Sequence, residues 1–251
     1  CERHAGDIGD EVGLEVAVGV VGEDGDVIAG LEAEGKEPGG EAMDAYSRAR
    51  LLTFTSDFLT RLGRYAEAGP DAERALAAAR VTGDALAIGS ALVARAGLAY
   101  ATQNWARALD DARLAAEALE PAHGWAPMAT ALTHAGNVHL SSGALVEAEA
   151  LYRRSRALHQ KVGNPHGEAI VLINLGAVYE GLGDHRESLR CAVEAARVLA
   201  ELGSPPSPVL LGNIASAHFY LGEWSEARRT LADALSSGIE LGHTFAVLES
   251  L

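Results

Sequence analysis

Cysteine is nearly missing from this chain: Cys1 and Cys191 are the only two in 251 residues. They give no disulfide framework and no CxxC pair, which suits a reducing compartment and sets the expectation of a cytoplasmic protein. Aromatic residues make up only 5% while alanine and leucine abound, a balance that favours helix over sheet. No apolar run reaches the roughly 18 residues of a membrane span, so no membrane association is expected. Positive charge is also short, with 20 Lys and Arg against 35 Asp and Glu and a net charge of −15. The deficit is uneven: residues 1–44 hold 13 acidic and 2 basic residues, whereas 45–251 hold 22 and 18. Neither part offers the basic stripe that a phosphate backbone requires, which argues against nucleic acid as a partner.

Motifs that carry chemistry are missing too. No GxxxxGK[ST] phosphate loop and no GxSxG elbow occurs. His134 and His139 stand five apart, not at the spacing of HExxH, and no Cys or carboxylate completes a metal shell around them. Glu23-Asp24-Gly25-Asp26 lacks the remaining ligands of a calcium loop. The reading is therefore of a protein that is not an enzyme, with no cofactor and no metal. Cys191, set among small residues on a helix, reads as a buried structural thiol.

What the chain does have is a repeat. It is clearest in Gly163–Gly203, where Leu175-Gly176, Tyr179, Gly183-Asp184, Ser188, Ala192 and Ala195 fall at offsets that recur about every 40 residues. With the turn glycine as position 15, position 8 is Ser56, Gly97, Gly136, Gly176 and Ala215, if one turn, at Asn104, is a residue shorter than the others. Position 20 is Ala68, Ala108, Ala148, Ser188 and Ala227, and position 27 is Ala75, Ala115, Ser155, Ala195 and Ala234. Small residues at fixed places let two helices approach closely, so these positions mark helix crossings. Position 11 is Leu59, Tyr100, His139, Tyr179 and His218. Helix–turn–helix units are expected at 49–82, 87–122, 127–162, 168–202 and 207–241, with a sixth beginning at 244. Pro70 should kink the second helix of the first unit or delay its start. Residues 1–40 form an acidic, Gly-rich segment in which a hairpin or two short helices are both open, short helices fitting better with the helical pattern of the remaining chain. The chain opens at Cys1 without Met, as a fragment would; a first cysteine also fits a lipid-anchored terminus. A sixth unit cut off after 251 leads us to expect that the natural chain continues.

These offsets resemble the tetratricopeptide repeat (TPR). Leu175-Gly176, Tyr179, Gly183, Ser188 and Ala195 match its pattern, as do Gly97, Tyr100, Trp105 and Ala108. The units are longer than the usual 34 residues, a long form similar to the arrays of bacterial signal-transduction regulators and kinesin light chains. The resemblance spans residues 45–251 and implies an all-α fold, a right-handed α-solenoid of antiparallel helix pairs in about five repeats, after an N-terminal segment it leaves undefined.

It also implies a site. In that family the first helices line a concave groove, and an Asn at position 6 clasps the backbone of a bound peptide. Position 6 here holds Phe54, Arg95, His134, Asn174 and Asn213, and position 9 includes Asn137. Asn is a poor helix former, so two of them at one repeat position ask for a reason: a bound ligand, or a bond to a neighbouring helix or water. The candidate groove residues are Asn174 and Asn213, extended by His134, Asn137 and Arg95. Phe219 and Tyr220 could line the same face or fill the core. The expected function is a non-catalytic module that binds a protein or peptide partner, the sensor or scaffold part of a larger bacterial regulator. Self-association and small-molecule sensing stay open as alternatives.

Overall fold

A computed structural model describes residues 44–240, with side chains to residue 236. The readings for residues 1–40, for Gly242 and for a sixth unit at 244 lie outside the described residues. Ten helices run through the described chain. They form five antiparallel pairs: α1 (Ala45–Arg61) with α2 (Tyr65–Thr82), α3 (Ala85–Ala101) with α4 (Trp105–Leu119), α5 (Trp125–Ser141) with α6 (Leu145–Lys161), α7 (Pro165–Gly181) with α8 (His185–Glu201), and α9 (Pro208–Tyr220) with α10 (Trp224–Glu240). The architecture is an all-α solenoid.

Side chains fix where most first helices begin. Asp44, Asp84, Asn164 and Ser207 each accept a hydrogen bond from the backbone N–H three residues on, which satisfies a donor that the helix start leaves unpaired. Pro165 and Pro208 follow their caps at the first helical position, where a missing N–H costs nothing. Pro70 neither delays nor ends α2, which runs unbroken from Tyr65. Both Pro70 and Ala66, whose carbonyl loses its partner to the ring, are exposed, so water can supply that bond.

The turns correct one part of the sequence reading. The turn inside each unit is closed by the same bond, from Arg64 N–H to Leu59 O, Asn104 N–H to Ala99 O, Ala144 N–H to His139 O, Asp184 N–H to Tyr179 O and Glu223 N–H to His218 O. No turn is shorter than the others. In the second unit Gln103 takes the left-handed conformation, φ 59°, that Gly63, Gly143, Gly183 and Gly222 supply elsewhere. Between units His123, φ 54°, likewise stands where the others have Gly83, Gly163 and Gly203. With Gln103 as the turn residue, position 8 of that unit is Ala96, not Gly97, and position 11 is Ala99, not Tyr100. The first helix of the second unit moves by one residue, while the second helices stay as read.

The crossings lie where the small residues are. Ser56 Oγ donates to the Ala68 carbonyl across 3.1 Å, and a Cβ on Gly176 would stand 3.5 Å from the Ser188 carbonyl oxygen. Gly136 is tighter: its Cβ would fall 2.6 Å from the Tyr152 ring, so here a side chain, not a backbone, fills the space the glycine opens. First helices pack on successive first helices, and each second helix packs on the first helix of the next unit. Second helices of neighbouring units meet through side-chain ion pairs, Arg107 with Glu73 and Arg156 with Glu194, without close backbone approach. The first helices therefore form the crowded inner layer and the second helices the spread outer one, which gives the array its concave side.

A residue with a Cβ in the left-handed region costs about 1–2 kcal/mol, part of which glycine returns as chain entropy. Gln103→Gly should therefore raise stability by up to about 1 kcal/mol in urea unfolding, whereas Gly183→Gln should lower it. A destabilised Gln103→Gly variant would contradict the turn assignment.

Candidate functional site

The 40-residue register places rows of side chains across the first helices. One row is Phe54, Ala94, His134, Asn174 and Asn213. The next, one turn on, is Asp57, Gly97, Asn137, Ala177 and Ser216. An open recess of about 650 Å³ is lined only by residues of α1, α3 and α5, so these faces share one surface.

Asn137 and Asn174 meet. Asn174 Nδ2 donates to Asn137 Oδ1 across 3.1 Å, and the Tyr152 hydroxyl donates to the same oxygen at 2.7 Å. Burial pushes the Tyr152 phenol well above its usual pKa, so the hydroxyl keeps its proton and remains a donor. With Asn137 Oδ1 doubly occupied, Asn137 Nδ2 and Asn174 Oδ1 have no partner among the described residues. Asn213, one unit further along, makes no side-chain hydrogen bond at all among them. The surface thus carries unspent donors and acceptors on adjacent helices, which suits a ligand that alternates N–H and C=O.

His134 lies on the same row, against the backbone of α3: a Cβ on Gly97 would stand 3.0 Å from His134 Nε2. Burial pulls its pKa down to about 4, with Asp57 opposing the shift and Arg61 adding to it. It is neutral at physiological pH, and its Nδ1 is buried without a partner.

Arg95 does not join them. The one-residue shift in the second unit puts Ala94 at position 6 and Arg95 at position 7, which faces the second helices. There its guanidinium takes Asp111 with two bonds, 2.8 and 2.6 Å, and Glu73 at 2.9 Å. Arg107 also bonds Glu73. Asp111 is 2% exposed. The same pair of positions in the first unit is Thr55 and Asp71, joined at 3.0 Å, and in the fourth it is Leu175 and Cys191, both buried and apolar. Arg95 is thus a core ion pair and not a groove residue.

Several residues went unassigned or were left ambiguous by the sequence. Arg50, Phe54 and Tyr46 line the recess at the α1 end. Phe219 and Tyr220 are exposed and not core, and they form a ladder with neighbours: His185 stacks on Tyr220 at 4.4 Å and Trp224 meets Phe219 edge-on at 4.9 Å. Cys191 is buried and free, as read. Among the described residues no group of three or more His, Cys, Asp or Glu is placed to hold a metal ion, and no helix is long and apolar enough to cross a membrane.

The tetratricopeptide repeat model matches residues 127–201, the third and fourth units. The array is TPR-like. Its fold is shared by BtubC (BKLC) from P. vanneervenii, at a TM-score of 0.68 and 16% identity over 78% of this chain and 83% of that one. A Rap protein complexed with competence and sporulation factor superposes at 0.72, with 12% identity over 90% of this chain and 61% of that one. A signal-transduction ATPase with numerous domains (STAND) with a tetratricopeptide repeat sensor, from Pyrococcus horikoshii, gives 0.67 and 14% identity, covering 90% of this chain but 35% of the other. No sequence match among curated proteins was found. At these identities the structural likeness establishes the right-handed TPR solenoid and nothing finer.

Removing Arg95 takes two short bonds from the buried Asp111 carboxylate and leaves it Arg107, at 3.7 Å, as counter-charge. Arg95→Ala should cost about 1–3 kcal/mol. Arg95→Leu combined with Asp111→Cys, the pair this array uses in its fourth unit, should be close to neutral in chemical denaturation. A single variant as stable as the parent would contradict the core assignment of Arg95.

Proposed function

We propose that the concave face of this TPR array binds an extended peptide or protein segment without catalysing a reaction, as the sensor or scaffold portion of a larger cytoplasmic bacterial regulator. The observation that carries this reading is the set of unspent carboxamide atoms on Asn137, Asn174 and Asn213. A helix interior normally hides or avoids such groups. Here they sit half-buried on successive first helices, Asn137 held by the Tyr152 hydroxyl and Asn174 by Asn137, with no structural bond to account for Asn213. A carboxamide that donates and accepts together matches a peptide unit, and pre-placed groups on rigid helices lower the ordering cost of binding. Neutral His134 extends the row without adding charge. The solved Rap protein with a bound factor and the STAND protein with a TPR sensor share the fold and supply the precedent for this use; Arg95 has no part in it.

Asn174→Ala and Asn213→Ala together should weaken capture of a library-selected peptide by about tenfold or more, near 1.4 kcal/mol, while thermal unfolding stays within a degree or two of the parent, since both side chains are off the core clusters. Undiminished capture by the doubly substituted chain would refute the groove.

A further inference from the structure

The recess at the α1 end of the concave face has a composition of its own. Its floor is made of small residues, Ala87 and Ala94, the latter standing at the position that holds His134, Asn174 and Asn213 further along. Its walls are apolar and open to solvent: Phe54 is 60% exposed and Tyr46 and Leu86 are 41% exposed. Large apolar side chains standing together at a concave surface mark a contact site more often than a folding need. Its charges are also unusual for a chain of net −15. Arg61 is paired with Asp57 at 2.8 Å. Arg50 lies 5.8 Å from the Tyr46 ring centre and has no carboxylate partner among the described residues. The recess therefore offers one unspent cation beside an apolar slot.

We propose that this recess takes an apolar side chain of the bound segment while Arg50 pairs with an Asp or Glu side chain two residues away from it. The proposal rests on the groove reading above and adds to it the chemical class of the partner: an acidic and apolar segment with the pattern apolar-x-acidic or its reverse. The spacing comes from geometry. Arg50 and Phe54 are one helical turn apart on α1, about 6 Å along its axis. Residues i and i+2 of an extended peptide lie on one side of the chain, about 6.6 Å apart. An acidic side chain, not a chain terminus, is the source of the carboxylate. A free terminus is held by several converging donors, commonly backbone N–H groups, and the walls here are helix interiors with one available guanidinium. Charge and apolar contact then act at different stages, the first favouring encounter and the second slowing release.

The test pans a random-peptide display library on the whole chain and repeats it on Arg50→Glu, on Phe54→Ala, and on the Asn174→Ala, Asn213→Ala double variant. All three sets of substitutions fall on half-buried or exposed positions, and a thermal melt of each checks that it folds. The parent should enrich peptides with an apolar residue two positions from Asp or Glu. Arg50→Glu should bind those peptides about tenfold less tightly and enrich Lys or Arg at the acidic position. Phe54→Ala should lose the apolar preference and keep the acidic one. Amidating the peptide C-terminus should change nothing. If Arg50→Glu enriched the same peptides as the parent, or if amidation abolished binding, the recess assignment would be overturned while the groove stood. If peptides bound the Asn double variant as well as the parent, the groove reading itself would fail, and the recess with it.

Discussion

Everything in this array depends on the close approach of the two helices in each unit. Positions 8 and 20 are held to Ser, Ala or Gly throughout. In the first unit the Ser56 hydroxyl reaches the Ala68 carbonyl, in the fourth a Cβ on Gly176 would just touch the Ser188 carbonyl, and in the third the space at Gly136 takes the Tyr152 ring. Tight crossings pull the pairs together, the left-handed turn residues set them at a 40-residue period, and the layers result. Because the first helices then approach one another closely while the second helices meet only at their side-chain tips, one face of the inner layer is left concave and reachable. The concave face is a consequence of the crossing, and its side chains are those the crossing does not use.

That division also explains which polar residues are structural. A position-7 side chain points at the second helices, so a charge there must find a buried partner, as Arg95 finds Asp111. A position-6 side chain, one residue earlier, lies on the concave face. A slip of one residue exchanges the two roles, and Arg95 shows how much turns on it. The ion pair trades hydrophobic burial for polarity in the amino-terminal units, a trade that rarely adds net stability. The Leu175 and Cys191 pair shows that the same architecture closes without it.

The helical repeat was legible in the sequence because its signal is redundant. Positions 20 and 27 repeat without interruption, and they place all five second helices. The first helix of the second unit was not legible, for a physical reason: Gln103 and His123 occupy left-handed turns that sequence reasoning assigns to glycine. Glycine at 97, beside the true crossing residue Ala96, then attracted the wrong alignment. The starts of the first helices were set late, since Asp84 and Asn164 are caps that precede the apolar pattern. At the candidate site, Asn174 and Asn213 stand out by their 39-residue spacing, and their role in a groove is what the resemblance implies. The bond between Asn174 and Asn137, the Tyr152 hydroxyl that orients it and the recess around Arg50 could not, because each brings together helices that the sequence keeps apart.

The unspent carboxamides of the inner layer should be the groups that meet the partner. The most direct measurement is a titration of the isotopically labelled chain with a library-selected peptide, observed at the side-chain amide signals of asparagine. The signals of Asn137, Asn174 and Asn213 should shift together and saturate at one affinity, with backbone amides of α2, α4, α6 and α8 little changed. Shifts gathered on those outer helices, with the three asparagine signals unmoved, would contradict it.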